Sequence, residues 1–148
     1  MKIAVIAITR HGIALAGKVI AAFPGAQLFI PEKFRADADG IPGTTCYAGK
    51  TGHQIPALFA AFDGIVAVVS LGAVVRLIAP HLQSKAVDPA VVVLDEAGKF
   101  SIPVLSGHLG GANALAGRIA AALGSVPVLT TASDARETLC VDLLGREL

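Results

Sequence analysis

The sequence has no tryptophan, one tyrosine and six phenylalanines, so it lacks the aromatic faces on which nucleobases stack. Its charge is balanced: Lys and Arg number 12 and Asp and Glu 11, for a formal net charge of +1. No basic stripe runs along it. These absences exclude a nucleic-acid footprint, which needs clustered cations. Cysteine is scarce as well. Cys46 and Cys140 lie far apart and outside any CxxC or CxxxH spacing, which argues against a structural zinc site or a redox pair. Reduced thiols in a cytoplasmic protein are the expected state. His11, His53, His81 and His108 show no ligand spacing with one another, so no protein-bound metal is expected.

Long hydrophobic runs are also missing. The hydrophobic fraction is 54% and the mean hydropathy +0.70, but Ala, Val and Gly supply much of it. The longest nearly apolar run, residues 64–75, is interrupted by Ser70 and stops at Arg76. A membrane-spanning helix needs about 20 apolar residues. Met1-Lys2-Ile3-Ala4-Val5 enters a strand-like run at once and offers no small-residue cleavage site. Neither a signal peptide nor membrane association is expected.

What is present is a regular alternation of strand, turn and helix. The 148 residues suit one domain, 1–148, and a chain of that size buries roughly 70% of its unfolded surface. Strands are predicted over 2–8, 27–30, 44–47, 64–69, 90–94, 100–104 and 126–129. Helices are predicted over 13–23, 53–62, 73–82, 114–123 and 135–147, with mostly loop over 32–52. This order implies an α/β, Rossmann-like, three-layer α/β/α sandwich with a mostly parallel mixed sheet. Residues 95–99, with Gly98, read as a hairpin turn. One of its two strands must therefore run against the rest. The link 83–89 can span about 23 Å when extended, enough to carry the chain back along the sheet. On that basis strand 90–94 is expected to be antiparallel to strand 64–69, with all the polar turns on one edge.

Ligands of open α/β sheets bind outside the carboxyl ends of the strands. The turns there are rich in hydroxyls, glycine and histidine: Thr9-Arg10-His11-Gly12, Ser70-Leu71-Gly72, residues 106–113 and residues 130–134. Each leads into a predicted helix, whose free N–H groups favour anions. In the third, Gly107, Gly110 and Gly111 let backbone approach a ligand. Its spacing is neither GxGxxG nor a P-loop, so a phosphate- or nucleotide-binding domain is only weakly supported.

That third turn, Ser106-Gly107-His108-Leu109-Gly110-Gly111-Ala112-Asn113, resembles a signature of the cobalamin-biosynthesis CbiG family. The resemblance runs back through residues 72–80 and 84–96 and forward through 127–134. Thr9-Arg10 and Pro31-Glu32-Lys33-Phe34 also fit, and residues 36–60 do not. It implies an anaerobic cobalamin-pathway step, in which water opens the δ-lactone of cobalt-precorrin-5A and a two-carbon unit leaves as acetaldehyde, giving cobalt-precorrin-5B. Cobalt comes with the substrate, so no cofactor is expected. Longer members of the family carry a further C-terminal domain. The partners to expect are therefore the substrate, such a domain or a separate partner chain, and a second copy in a homodimer. If the absent domain completes the site, this chain is a corrinoid-binding module without turnover.

For lactone opening, His108 is the candidate general base, because its unperturbed pKa of about 6.5 lies nearest neutrality. The amides of Gly110 and Gly111 are candidate oxyanion donors. Glu96 is the second candidate base, on a hairpin expected to point away from the crevice. Arg10 and Arg76 are expected to pair with the acetate and propionate carboxylates of the substrate. Thr9, Ser70, Gly72, Ser106, Gly107, Asn113, Thr130 and Thr131 complete the expected substrate-binding set.

Overall fold

A computed structural model of the chain describes residues 1–106 and 111–131. The predicted helix over 135–147 lies outside the described residues. Strands are β1 (Ile3–Ala7), β2 (Gln27–Pro31), β3 (Thr44–Tyr47), β4 (Gly64–Val68), β5 (Ala90–Leu94), β6 (Phe100–Leu105) and β7 (Val126–Pro127). Helices are α1 (Arg10–Ala22), α2 (Ile55–Ala61), α3 (Leu71–Ile78) and α4 (Ala112–Leu123). Short 3-10 turns cover Glu32–Ala38, inside the stretch expected to be loop, and Thr51–Gln54, which crosses from that stretch into the start of the predicted helix 53–62. The strands form one sheet in the order β3-β2-β1-β4-β5-β6-β7. No helix among the described residues is long and apolar enough to cross a membrane.

Both faces of the sheet are covered, as the continuous apolar runs predict. Alternate residues of β1 point to opposite layers. Val5 and Ala7 join Ile13 and Val19 of α1 and Leu115 and Ile119 of α4. Ala4 and Ile6 join Ile55 and Leu58 of α2 and Val74 and Ile78 of α3. The three-layer architecture follows.

One expectation fails. β5 is parallel to β4, with Ile65 beside Val91 and Val66 beside Val92. The antiparallel strand is β6, and β7 follows it in parallel. The reason is the link 83–89, which curls up instead of stretching along the sheet. The Ser84 carbonyl accepts from the Val87 and Asp88 amides at 3.1 and 2.8 Å. The buried Asp88 carboxylate accepts from the Gln83 amide with both oxygens at 3.1 Å. The chain is thereby held near the edge where α3 delivers it, and the Ala90 amide reaches the Asp63 carbonyl at 2.9 Å, beside the start of β4. The hairpin forms as expected, with Gly98 at φ +71° and its amide on the Asp95 carbonyl at 2.8 Å. A register shift between Val91 and Val92 then absorbs an extra residue of β6 next to Pro103, which has no N–H to give the ladder.

Candidate functional site

Because β6 runs backwards, the polar turns divide between two edges of the sheet. At the carboxyl edge of β1, β4 and β5 lie the turns of Thr9, Ser70 and Glu96. The sheet order turns between β1 and β4, where such sheets open a crevice. Thr9 has extended backbone and caps α1, its hydroxyl oxygen accepting the Gly12 amide at 3.0 Å. The same hydroxyl donates to the Glu96 carboxylate. The hairpin thus points into the crevice, contrary to the sequence expectation, and brings an exposed carboxylate to the N-terminus of a helix, where the dipole favours it. α1 begins at Arg10, earlier than the apolar pattern suggested, because Thr9 supplies the cap.

Ser70 caps α3 across the switch point, accepting the Ala73 amide at 3.4 Å. Gly72, in the first turn of α3, is exposed, and a Cβ there would meet open space. Arg10 forms an ion pair with Asp37 at 3.6 Å while its side chain stays 78% exposed. A pair so exposed contributes at most about 1 kcal/mol, so a stronger carboxylate can displace it. Arg76 is exposed in the last turn of α3. It lies about 9 Å along the helix axis from the Ser70 cap, which sets it apart from the other residues of this edge.

The second edge holds the amino ends of β1, β4 and β5 and the carboxyl ends of β6 and β7. Ser106 is buried here and donates to the Asp88 carbonyl at 3.1 Å. It is the one non-glycine residue with positive φ among the described residues, at +57°. Such a conformation costs of order 1–3 kcal/mol and persists only where surroundings impose it. Gly111 caps α4 at φ +88°, and a Cβ on it would lie 3.2 Å from the Met1 side chain. Asn113 donates to the Thr131 hydroxyl at 2.9 Å, joining the two signature turns, and Thr130 is exposed beside it. Gly107, His108 and Gly110 lie outside the described residues.

The expected site is therefore two clusters. Thr9, Arg10, Ser70, Gly72 and Glu96 share the crevice edge. Ser106, Gly111, Asn113, Thr130 and Thr131 share the other. The residues between which β5 runs, Ser106 and Glu96, are separated by roughly 17 Å of strand.

A further feature escaped the sequence. An open cleft of about 780 Å³ lies over the carboxyl ends of β1, β2 and β3. Ile8, Pro31 and Leu77 line it together with Lys33, Lys50 and His53. Gly49, at φ +80°, makes the turn after β3 that presents Lys50. In the cleft wall the Tyr47 hydroxyl pairs with that of Thr51 at 2.7 Å. Burial pushes the Tyr47 phenol above its ordinary value of 10.0, and the Thr51 hydrogen bond partly offsets this.

The folded state therefore holds this proton more tightly than the unfolded chain does. The corresponding stability is fully present below about pH 10 and is lost as pH rises through the folded value. Tyr47 is the sole tyrosine and there is no tryptophan, so tyrosinate absorbance reads this one group. Native protein is expected to ionise at higher pH than urea-unfolded protein. Coincident curves would mean that the phenol is solvated.

The cobalt-precorrin-5A hydrolase of Priestia megaterium is 44% identical over 97% of this chain and 38% of its own length. The cobalt-precorrin-5A hydrolase of Salmonella typhimurium is 38% identical over 99% of this chain and 40% of its own. This chain thus spans about two fifths of the length of the curated relatives it matches. A crystal structure of a cobalamin biosynthesis protein G homolog from Sulfolobus solfataricus superposes with a TM-score of 0.63 at 28% identity, covering 93% of this chain and 40% of that one. The model of the family described as cobalamin synthesis G N-terminal matches residues 53–134. That span runs from the 3-10 turn before α2, through the curled link and both signature turns, and is more than half of the sequence: the chain belongs to the cobalamin synthesis G N-terminal family.

Proposed function

We propose that this chain is the N-terminal part of a cobalt-precorrin-5A hydrolase and that the lactone is opened in the crevice over β1, β4 and β5. The observation that carries the crevice assignment is the Thr9–Glu96 hydrogen bond, which holds a carboxylate at the N-terminus of α1. Glu96 is the general base in this reading. It takes a proton from water, and the hydroxide adds to the lactone carbonyl. Helix geometry leaves the first-turn amides of α1 without intrahelical acceptors, so those of Arg10 and His11 are oriented to stabilise the oxyanion. When the carbonyl re-forms, the ring C–O bond breaks and frees an alkoxide beside a carboxylate. Collapse of that alkoxide to acetaldehyde breaks the C–C bond to the macrocycle, which takes the electron pair. In this reading Ser70, across the switch point, donates its hydroxyl proton to the substrate. Cobalt enters with the macrocycle, so the reading needs no cofactor of the protein's own.

The test supplies cobalt-precorrin-5A to the chain alone and to the chain together with the remaining portion of a full-length relative. Acetaldehyde is read by coupled reduction and the corrinoid product by mass. One acetaldehyde per corrinoid converted is the expected result. Corrinoid binding without acetaldehyde in both formats would leave a binding module. The absence of both corrinoid binding and acetaldehyde would refute the reading.

A further inference from the structure

The cleft over β1, β2 and β3 has no role in the chemistry above. Its floor is apolar, from Ile8, Pro31 and Leu77. Its rim carries Lys33 and Lys50, both exposed. Glu32 also lines it, but Arg35 holds that carboxylate at 2.9 Å. The cleft is left with an excess of positive charge above an apolar base.

We propose that this cleft binds the peripheral acetate and propionate carboxylates of the macrocycle, with Lys33 and Lys50 as the pairing cations. The identity of the ligand rests on the hydrolase reading. Three physical features support the match. A macrocycle fringed with short acidic arms presents apolar carbon next to carboxylate, and the cleft presents apolar carbon next to ammonium. Lysine suits mobile arms better than arginine does, because it is a point charge on a flexible stem and imposes no fixed bidentate geometry. Finally, Ile8 of the cleft immediately precedes Thr9 of the crevice, so the two are continuous along one edge. From β3 to β5 that edge crosses four strand spacings, about 19 Å. A ring lying over β1 and β4 can therefore extend its arms over β2 and β3.

The test uses this chain together with the C-terminal portion of a full-length relative, and two probes: cobyrinic acid, with free carboxylates, and its heptamethyl ester, without them. The double variant Lys33→Gln/Lys50→Gln removes the charge and keeps most of the side-chain bulk. It is expected to bind cobyrinic acid about tenfold more weakly than wild type, with a shallower salt dependence, since exposed ion pairs are weak singly and screened by salt. Ester affinity is expected to hold. Wild-type affinity for the acid in the double variant would overturn the proposal. An equal loss for acid and ester would also overturn it, since shape rather than charge would then matter. Acetaldehyde release separates the two claims. If wild type turns over substrate and the lysines do not matter, the cleft assignment fails and the hydrolase reading stands. If the lysines matter for the acid but no acetaldehyde forms, the hydrolase reading fails and the cleft remains a carboxylate site.

Discussion

Glu96→Gln is expected to lower acetaldehyde release by about 10²–10⁴, the usual loss when a general base is removed. Gln keeps the size of the side chain, and its amide oxygen still accepts from the Thr9 hydroxyl. The cap of α1 and the hairpin therefore survive, and corrinoid affinity should change little. What is lost is the capacity to take the proton from water. Glu96 is exposed, so the substitution should leave stability within about 0.5 kcal/mol. His108→Ala in the same assay is the control. β6, the last described strand before His108 in the sequence, ends at Leu105 on the opposite edge from Glu96. If His108→Ala abolishes turnover and Glu96→Gln does not, the chemistry belongs to the second edge. Thr9→Val offers an independent check. It removes both the cap and the hydrogen bond to Glu96, and should cost about 1 kcal/mol of stability through the cap alone.

Leu115→Ala is expected to destabilise the domain by about 2–5 kcal/mol, a large share of the ~5–15 kcal/mol typical of a domain. Leu115 of α4 is 1% exposed and belongs to the cluster shared with α1 and β1. A Cβ built on Gly64 would sit 3.2 Å from Leu115 Cδ2 and 2.9 Å from Met1 Sδ. Leu115 therefore occupies space that Gly64 leaves free, and truncating it leaves a void that the strands cannot close. For a domain of this size the loss corresponds to a fall in melting temperature of roughly 5–15 °C. The same geometry predicts coupling. Gly64→Ala should cost less in the Leu115→Ala background than in wild type, because the new methyl then loses the Leu115 contact and only the end of the flexible Met1 side chain has to move. Thermal or urea unfolding of the four proteins of this cycle decides the point, and strictly additive costs would show that the contact carries no energy.

The elements and the site were legible in the sequence to different depths. β1 and β4 were evident from continuous apolar runs, because both faces of a parallel strand are covered. The hairpin at 95–99 and the end of α4 at Gly124 were evident because each needs a glycine at positive φ, which Gly98 and Gly124 adopt. The family was evident from long runs such as residues 106–113, whose specificity does not depend on the three-dimensional arrangement.

Tertiary structure alone decided the direction of β5. That direction hangs on the path of residues 83–89, and the path hangs on Asp88 bonding the Gln83 amide and on Ala90 finding the Asp63 carbonyl. Neither contact leaves a periodic trace. The same decision divided the polar turns between two edges and brought Glu96 to Thr9, 87 positions apart in the chain. A separate long-range pairing explains why residues 36–60, opaque as sequence, include much of a cationic cleft: Lys50 and Tyr47 acquire meaning only when β3 lies beside β2 and α3 packs against the following turn. Local propensity and hydrophobic period set which segments become strands and helices, because those preferences act over a few residues. The relative direction of the strands, and hence which side chains meet, depends on hydrogen bonds closed between distant residues after the segments have packed.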